Sequence, residues 1–458
     1  MNTPAGLLSP VWADTEAAQL TSEQALLTTL VEVEAAWAEV LAEAGEAPAA
    51  GAAALRAIAT DPAAAGLDPA EIAAAGVGGG NPVIPLLAQL RSVLNAQETS
   101  DEALHRGATS QDVLDTALVL TVHRACAAAL RDARATADAL AELAETHRST
   151  VCVARSLTQH ALPTSFGLRV AGWLDGIRRA AVRLSGAVAE LPIQWGGAAG
   201  TQAALTDMVG TARAAELTRQ LGVQLGLPTP SRPWHTQRQP LLEVASALAG
   251  LLAAMGKAAD DVLTLQRQEI AEVRESASGQ SGGSSAMPQK QNPVLSVLIR
   301  SAALAGPAQL AGLHYAAASA VDERPDGPWH AEWPQLLELL RLTCGAAARG
   351  AELFAGLITI PENMARNLRL TGGAVLSERL VAALSDSFPG GKSALLEVIS
   401  THAAGTSLRA EITRAYAAAG SVAPELDRLL DPADYLGRAD DFIDAVLADF
   451  AAERTTWS

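Results

Sequence analysis

The sequence has few aromatic residues, few cysteines and no excess of basic residues, and each shortage excludes a class of protein. Phe, Trp and Tyr make up 3% of the 458 residues, and the 3 cysteines lie far apart. They have neither the spacing of a zinc site nor the number of a disulfide framework, so we predict a metal-free protein of the reducing cytoplasm. The first residues lack the pattern of a signal peptide. A net charge of −17 argues against nucleic acid or an acidic membrane surface as partner.

Strand-like alternation of apolar and polar residues is almost absent, whereas apolar residues recur at helical spacing. One such stripe is Leu26, Leu30, Val33, Trp37 and Leu41. We therefore expect a nearly all-α chain with short irregular excursions at 191–201 and 222–233. The expected division is an N-terminal helical domain over 1–106, a central helical-bundle domain over 107–350 and a C-terminal helical domain over 351–458.

The stretch 301–321 carries no charged residue and is long enough to raise the question of a membrane helix. It contains a Gly306-Pro307 pair, and alanine rather than leucine dominates it. An apolar helix without a polar face is typical of burial on every side. We interpret this stretch as an inner helix of a bundle that packs against other subunits, and we expect no membrane partner.

A loop rich in glycine and serine carries the strongest functional signal. It reads GQSGGSSAMPQKQNP over 279–293, so Lys290 and Asn292 follow Ser284 within eight residues. Glycines let the backbone crowd a ligand, and a mobile loop can close over it. Composition alone would also allow a Gly/Ser linker. The ordered Met, Pro, Lys, Asn and Pro favour a catalytic loop that binds an anionic small molecule.

This loop resembles the signature loop of the fumarase/aspartase superfamily, and two further blocks follow the superfamily pattern in the expected order. They read HRGATSQDVLDT over 105–116 and RSLTQHALPTSFG over 155–167. The resemblance implies an all-α, fumarase/aspartase-like three-domain fold with a long central helical bundle. It also implies a homotetramer with shared active sites, a di- or tricarboxylate substrate and no cofactor.

The superfamily removes or adds a proton on the carbon next to a carboxylate, and donors must stabilise the resulting aci-carboxylate. The resemblance makes Ser284 the proton-accepting residue, with Lys290 and His160 as further catalytic residues. The substrate-binding residues that it implies are Thr109, Ser110, Thr158, Gln159, Asn292, Arg324, His105 and Met287.

The chain departs from the superfamily at two informative positions. Fumarase and adenylosuccinate lyase have a histidine where this chain has Leu157, and a glutamate where it has Val297. That pair delivers a proton, which a departing amine or hydroxide needs because it is strongly basic. A carboxylate that departs, or that adds to a double bond in the reverse direction, needs no such proton.

The apolar pair therefore favours the cycloisomerase branch, which lactonises 3-carboxy-cis,cis-muconate. That branch has His and Arg where this chain has Gln289 and Gln291, so two cationic groups are missing beside Lys290. The rival reading is a lyase that releases a weakly basic group such as nitrite from a substituted succinate to give fumarate. Adenylosuccinate lyase is less favoured. A non-catalytic helical scaffold is a further alternative, and the intact Ser284, Lys290 and Asn292 count against it.

Overall fold

The fold is known from a computed structural model that describes residues 6–276, 287, 290–402 and 407–457. Most of the described chain is helical. The α-helices are α1 (Glu16–Leu20), α2 (Glu23–Glu43), α3 (Ala49–Thr60), α4 (Pro69–Gly76), α5 (Val83–Ala96), α6 (Ser110–Thr146), α7 (Phe166–Ala189), α8 (Ala203–Val209), α9 (Thr211–Leu225), α10 (Gln239–Leu265), α11 (Val294–Ala318), α12 (Gly327–Ala355), α13 (Pro361–Leu368), α14 (Ser377–Leu384), α15 (Gly391–Thr401), α16 (Leu408–Ala418) and α17 (Ala439–Glu453).

Five long helices form the central bundle. Helix α6 packs against α7 and α12, and α10 packs against α7, α11 and α12. Buried aliphatic and alanine side chains fill most of the space between them, and a few buried aromatic residues such as Trp173 and Phe354 complete the core. The helical fold expected from the sequence is confirmed. The boundaries expected at 106/107 and 350/351 stay predictions; α6 begins at Ser110 and α12 ends at Ala355.

The two ends of the bundle hold different parts of the predicted site. Helices α6, α10 and α12 begin at the same end, where the buried Arg238 bridges Asp115 at 2.7 Å and Glu332 at 2.5 Å. We call this the first-block end, because the 105–116 block lies here. Helix α6 runs to the opposite end, where the chain enters the strands and then α7. We call that the hairpin end.

The part of the chain that the structure describes contains two small antiparallel sheets, which were not expected from the sequence. Strands β1 (Val151–Ser156) and β2 (Gln159–Ser165) form a hairpin, and β3 (Val273–Arg274) pairs with β4 (Ile358–Thr359). The excursion at 191–201 is irregular, as expected. Of the excursion expected at 222–233, residues 222–225 belong to α9 and residues 226–233 are irregular. The second sequence block therefore lies on a β-hairpin.

Among the described residues, three helices are long and apolar enough to cross a membrane by length and composition alone: α6, α10 and α11. Most of the apolar window of α6 is buried within the chain, at 83%, whereas only 22% of that of α11 is buried. Leu304 and Tyr315 on α11 are largely exposed. Within the single chain α10 and α12 cover only one side of this helix, so the expectation that it packs against other subunits stays a prediction.

Candidate active site

Helix α6 begins at the first block, and its start is built around the buried carboxylate of Asp112. Thr109 is the residue before the helix, and its backbone N–H donates to Asp112 Oδ2 at 3.0 Å. An acidic residue in the first turn satisfies such unpaired N–H groups and favours the helix start. Thr109 and Asp112 form a capping box, and the carboxylate thus fixes the backbone of the block at the start of the helix.

Asp112 also holds a glycine-rich turn against the first block. Its two oxygens accept from the backbone N–H of Gly196 at 2.7 Å and of Gly197 at 2.8 Å. His235 Nε2 lies 2.8 Å from Asp112 Oδ1, and both side chains are buried. A carboxylate that already accepts backbone hydrogen bonds acts as an acceptor, so His235 donates through Nε2.

The turn fits closely around the His235 ring. A Cβ on Gly196 would lie 2.8 Å from His235 Cε1 and 2.7 Å from Pro233 Cβ, so a side chain there would clash. Gly197 has a φ of +69°, a conformation that glycine adopts without strain. Asp112, His235 and the two glycines therefore form one rigid unit beneath the first block.

Arg324 connects the start of the first block to the glycine-rich turn. Its Nη2 donates to Thr109 Oγ1 at 2.8 Å and to the carbonyl oxygen of Ala198 at 3.0 Å. Within the part of the chain that the structure describes, no carboxylate pairs with this guanidinium. Neutral acceptors orient the group without neutralising it, so its charge is available to an anionic ligand.

His105 is anchored by a buried acid. Its Nδ1 lies 2.7 Å from Glu34 Oε1, and its backbone N–H donates to Glu34 Oε2 at 3.0 Å. The residue has a φ of +58°, which non-glycine residues adopt rarely. These contacts fix the conformation of the first block, and the role of His105 towards a substrate stays a prediction. Ser110, also predicted to bind substrate, is the first residue of α6.

The second block forms the β1–β2 hairpin, with Leu157 and Thr158 at its tip. Both tip residues have positive φ, at +48° and +69°. Two-residue hairpin turns normally have Asn or Gly at such positions, and a β-branched threonine there is strained. Leu157 is 93% exposed in the single chain. Strained, exposed residues of this kind often mark positions that contact a ligand or another subunit.

His160 lies on β2, two residues after Thr158, and is half-buried. It pairs across the strands with Arg155, whose guanidinium forms a bidentate pair with the buried Glu272. Burial lowers the pKa of His160, and the charge of Arg155 lowers it further, while Glu272 opposes both. The ring is therefore neutral at neutral pH, which suits hydrogen bonding to a substrate better than ionic attraction of one.

Part of the signature loop lies outside the described residues, including the predicted base Ser284. Met287 and Lys290 are exposed, and Asn292 is half-buried. The two flanks of the loop meet at Glu275, whose carboxylate accepts from the backbone N–H of Leu295 and from the N–H and hydroxyl of Ser296. This contact places the start of α11, which directly follows the loop, next to the end of β3 at the hairpin end of the bundle.

The predicted residues therefore fall into two groups within one chain. The first-block end holds Thr109, Ser110 and Arg324, and the hairpin end holds the second block and the described part of the signature loop. Helix α6 has 37 residues, so about 55 Å of helix separates the two ends. The structure brings Thr109 and Arg324 together, but it does not bring the three sequence blocks together in a single chain.

Sequence reasoning missed three buried groups that organise these ends: Asp112, His235 and Glu272. Asp112 and His235 lie within or near quoted motifs, and a threonine followed three residues later by an acid is a recognisable helix-start pattern. That pattern could have identified Asp112. Nothing local marks Glu272, because its partners come from distant parts of the sequence.

Comparisons with known proteins agree with this arrangement of motifs. Residues 11–305 match the family described as lyase. The chain belongs to this lyase family, within the fumarase/aspartase superfamily. It is therefore related throughout to lyase-type enzymes, and the superfamily membership predicted from the three blocks is confirmed.

Two relatives and one solved structure are similar to this chain over nearly its whole length. A nitrosuccinate lyase of Streptomyces davaonensis is 42% identical over 452 residues, which cover 96% of this chain and 94% of that protein. A 3-carboxy-cis,cis-muconate cycloisomerase of Pseudomonas aeruginosa is 39% identical, covering 94% of this chain and 93% of its own. The crystal structure of the Pseudomonas putida lactonizing enzyme for the same muconate superposes with a TM-score of 0.86 at 32% identity, covering 97% and 99%.

Proposed function

We propose that this lyase eliminates nitrite from nitrosuccinate to give fumarate. The observation that carries the proposal is the 42% identity to a nitrosuccinate lyase over 96% of the chain. The apolar residues at Leu157 and Val297 suit both reactions considered from the sequence and do not separate them. The identity does, and it favours nitrite elimination over lactonisation. The missing cationic side chains at Gln289 and Gln291 agree with a smaller, less charged substrate than a tricarboxylate.

The proposed chemistry requires one assisted proton transfer. Ser284 takes a proton from the carbon that bears no nitro group, next to a carboxylate. The carbon–carbon double bond then forms as the carbon–nitrogen bond breaks, and nitrite leaves with the bonding electrons. The balance is nitrosuccinate to fumarate, nitrite and a proton. Nitrite is weakly basic, so no acid is needed at Leu157 or Val297.

The charged and polar residues of both ends have complementary roles in this proposal. Lys290 and Asn292 stabilise the aci-carboxylate, and Arg324 with Thr109 binds the second carboxylate. Preorganised donors of this kind supply the largest share of stabilisation when charge develops in a transition state. Thr158, Gln159 and His160 supply further hydrogen bonds from the hairpin.

We further propose that the site is completed by assembly into a homotetramer. The two ends of one chain lie too far apart to share a small substrate, so different subunits would supply them. The exposed apolar face of α11, which includes Leu304 and Tyr315, would pack against the same helix of other copies. A lipid bilayer could also cover such a face, but it would not bring the two ends together.

The direct test is product analysis with purified protein and nitrosuccinate. Fumarate is measured by its ultraviolet absorbance and nitrite by diazo coupling, with a protein-free sample as control. We expect the two products in equal amounts. Lactone formation from 3-carboxy-cis,cis-muconate with no nitrite release from nitrosuccinate would contradict the proposal and favour the cycloisomerase, the second candidate, which the 39% identical relative supports.

A further inference from the structure

The carboxylate of Glu272 joins three parts of the chain at the hairpin end. It is completely buried and accepts from Arg155 Nη2 at 2.6 Å and Nη1 at 3.1 Å. Asn367 Nδ2 donates to it at 2.8 Å, and Arg169 Nη1 lies 3.5 Å away. These donors come from β1, α13 and α7. A buried carboxylate with donors from several elements fixes their relative positions.

The backbone around Glu272 is tied to the same elements. Its carbonyl oxygen accepts from the N–H of Ile360, the residue before α13, at 2.9 Å. Asn367 also donates to the carbonyl oxygen of Ile270 at 2.8 Å. Glu272 directly precedes β3, and the signature loop follows β3 in the sequence. The first helix after the bundle is thus connected, through Glu272, to the segment that carries the predicted base.

The contact with Arg155 extends this connection to the hairpin. Arg155 pairs across the strands with His160, so the position of its guanidinium sets the surroundings of that ring. Burial raises the pKa of Glu272, but the donors Arg155 and Asn367 outweigh burial and hold the pKa below its ordinary value. The carboxylate is therefore charged at neutral pH and balances one of the two nearby guanidinium groups.

We propose that Glu272 is a positioning residue, which holds the hairpin bearing Thr158 and His160 in place relative to β3, the strand that precedes the signature loop in the sequence. Through Asn367, the region after the bundle then contributes to turnover although it contains no predicted site residue. Only the kinetic test of this inference depends on the proposed elimination. The contacts of Glu272 are independent of which carboxylate the enzyme converts.

Glu272→Gln tests the proposal, because it keeps the shape of the side chain and removes its charge. We expect kcat for the best substrate to fall about 10- to 100-fold, the effect of a small misplacement of reacting groups, while KM changes by less than about threefold. The midpoint of the His160 titration, followed by NMR of the ring without substrate, should move to lower pH, because a negative neighbour is lost and Arg155 remains. Glu272→Asp should restore part of both.

The matched control is Glu453→Gln, which removes a carboxylate partner of the buried Arg178 between α7 and α17, away from the hairpin. It should leave kcat and the His160 midpoint unchanged. If Glu272→Gln does not fold, Asn367→Ser carries the test with the same readouts and a smaller expected loss of kcat. Unchanged kcat and an unchanged midpoint in the folded variant would overturn the proposal. A shifted midpoint in a protein inactive on nitrosuccinate would count against the proposed function alone.

Discussion

At the residue scale, the first-block end depends on Asp112, which gathers backbone donors from the start of α6 and from the glycine-rich turn. His235 completes the unit from a position 123 residues further along the chain. This unit orients Arg324, which has no carboxylate partner among the described residues. An oriented and uncompensated guanidinium is what a dicarboxylate site needs.

The charge of Arg324 should matter for substrate binding. Arg324→Met should raise KM for nitrosuccinate by roughly 30-fold, about 2 kcal/mol, because a charged partner of a substrate carboxylate is lost. Lys290→Met should weaken turnover as well, since it removes the cation that follows Ser284 in the signature loop and is predicted to stabilise the aci-carboxylate. Steady-state kinetics measure both effects, and Arg219→Met, at an exposed position on α9 paired with Glu216, is the control. Unchanged kinetics in both variants would mean that the anion site lies elsewhere.

Removal of the hydroxyl of Ser284, the predicted base, tests its role in proton transfer. Ser284→Ala should lower kcat by about 10²- to 10⁴-fold, the usual contribution of a positioned proton-transfer group. Melting temperature and affinity for fumarate should stay close to those of the original protein, because only a hydroxyl is removed. A purified variant with near-normal turnover would show that Ser284 has been misassigned.

At the scale of elements, helices were predictable and the hairpin was not. Apolar residues at helical spacing predicted the bundle, because a long amphipathic pattern has few alternative structures. The segment 151–165 lacks the Asn or Gly that identifies a tight hairpin turn, and Leu157 and Thr158 take up positive φ instead. Its strands are stabilised by tertiary contacts such as Arg155–Glu272, which a local pattern cannot reveal.

The hairpin tip and α11 also carry the test of the leaving-group argument. Leu157→His with Val297→Glu would restore the proton-delivering pair of the amine lyases, yet it should not accelerate nitrite release, because nitrite leaves as a stable anion. Leu157→Met with Val297→Leu is the apolar control and should keep kcat within about threefold, since similar apolar volumes are tolerated. If the His/Glu variant increased kcat several-fold, the departing group would need an acid after all.

At the scale of the whole molecule, the predicted three-block site is divided by the length of the bundle. The sequence identified the blocks, but their distribution over two ends became visible only with α6, whose 37 residues span about 55 Å. The partners of Glu272 and His235 were beyond prediction for a related reason. They join segments that are far apart in the sequence, and no alternation or spacing records such contacts.

Assembly should therefore be required for activity. Light scattering should show a tetramer. Unfolding Ser284→Ala and Arg324→Met subunits together and refolding the mixture should give a kcat/KM above that of either variant refolded alone. Hybrid tetramers would contain sites in which an intact first-block end meets an intact hairpin end. A fully active monomer, or hybrids no more active than the better parent, would contradict shared sites.

The most direct measurement of the central claim compares kcat/KM for nitrosuccinate with kcat/KM for 3-carboxy-cis,cis-muconate on the same purified protein, with adenylosuccinate as a third substrate. The 42% identity to a nitrosuccinate lyase predicts that nitrosuccinate is preferred over the muconate by about 100-fold or more, the discrimination that a few specific polar contacts provide. Adenylosuccinate should react negligibly. A preference for the muconate, or efficient cleavage of adenylosuccinate, would contradict the proposed function.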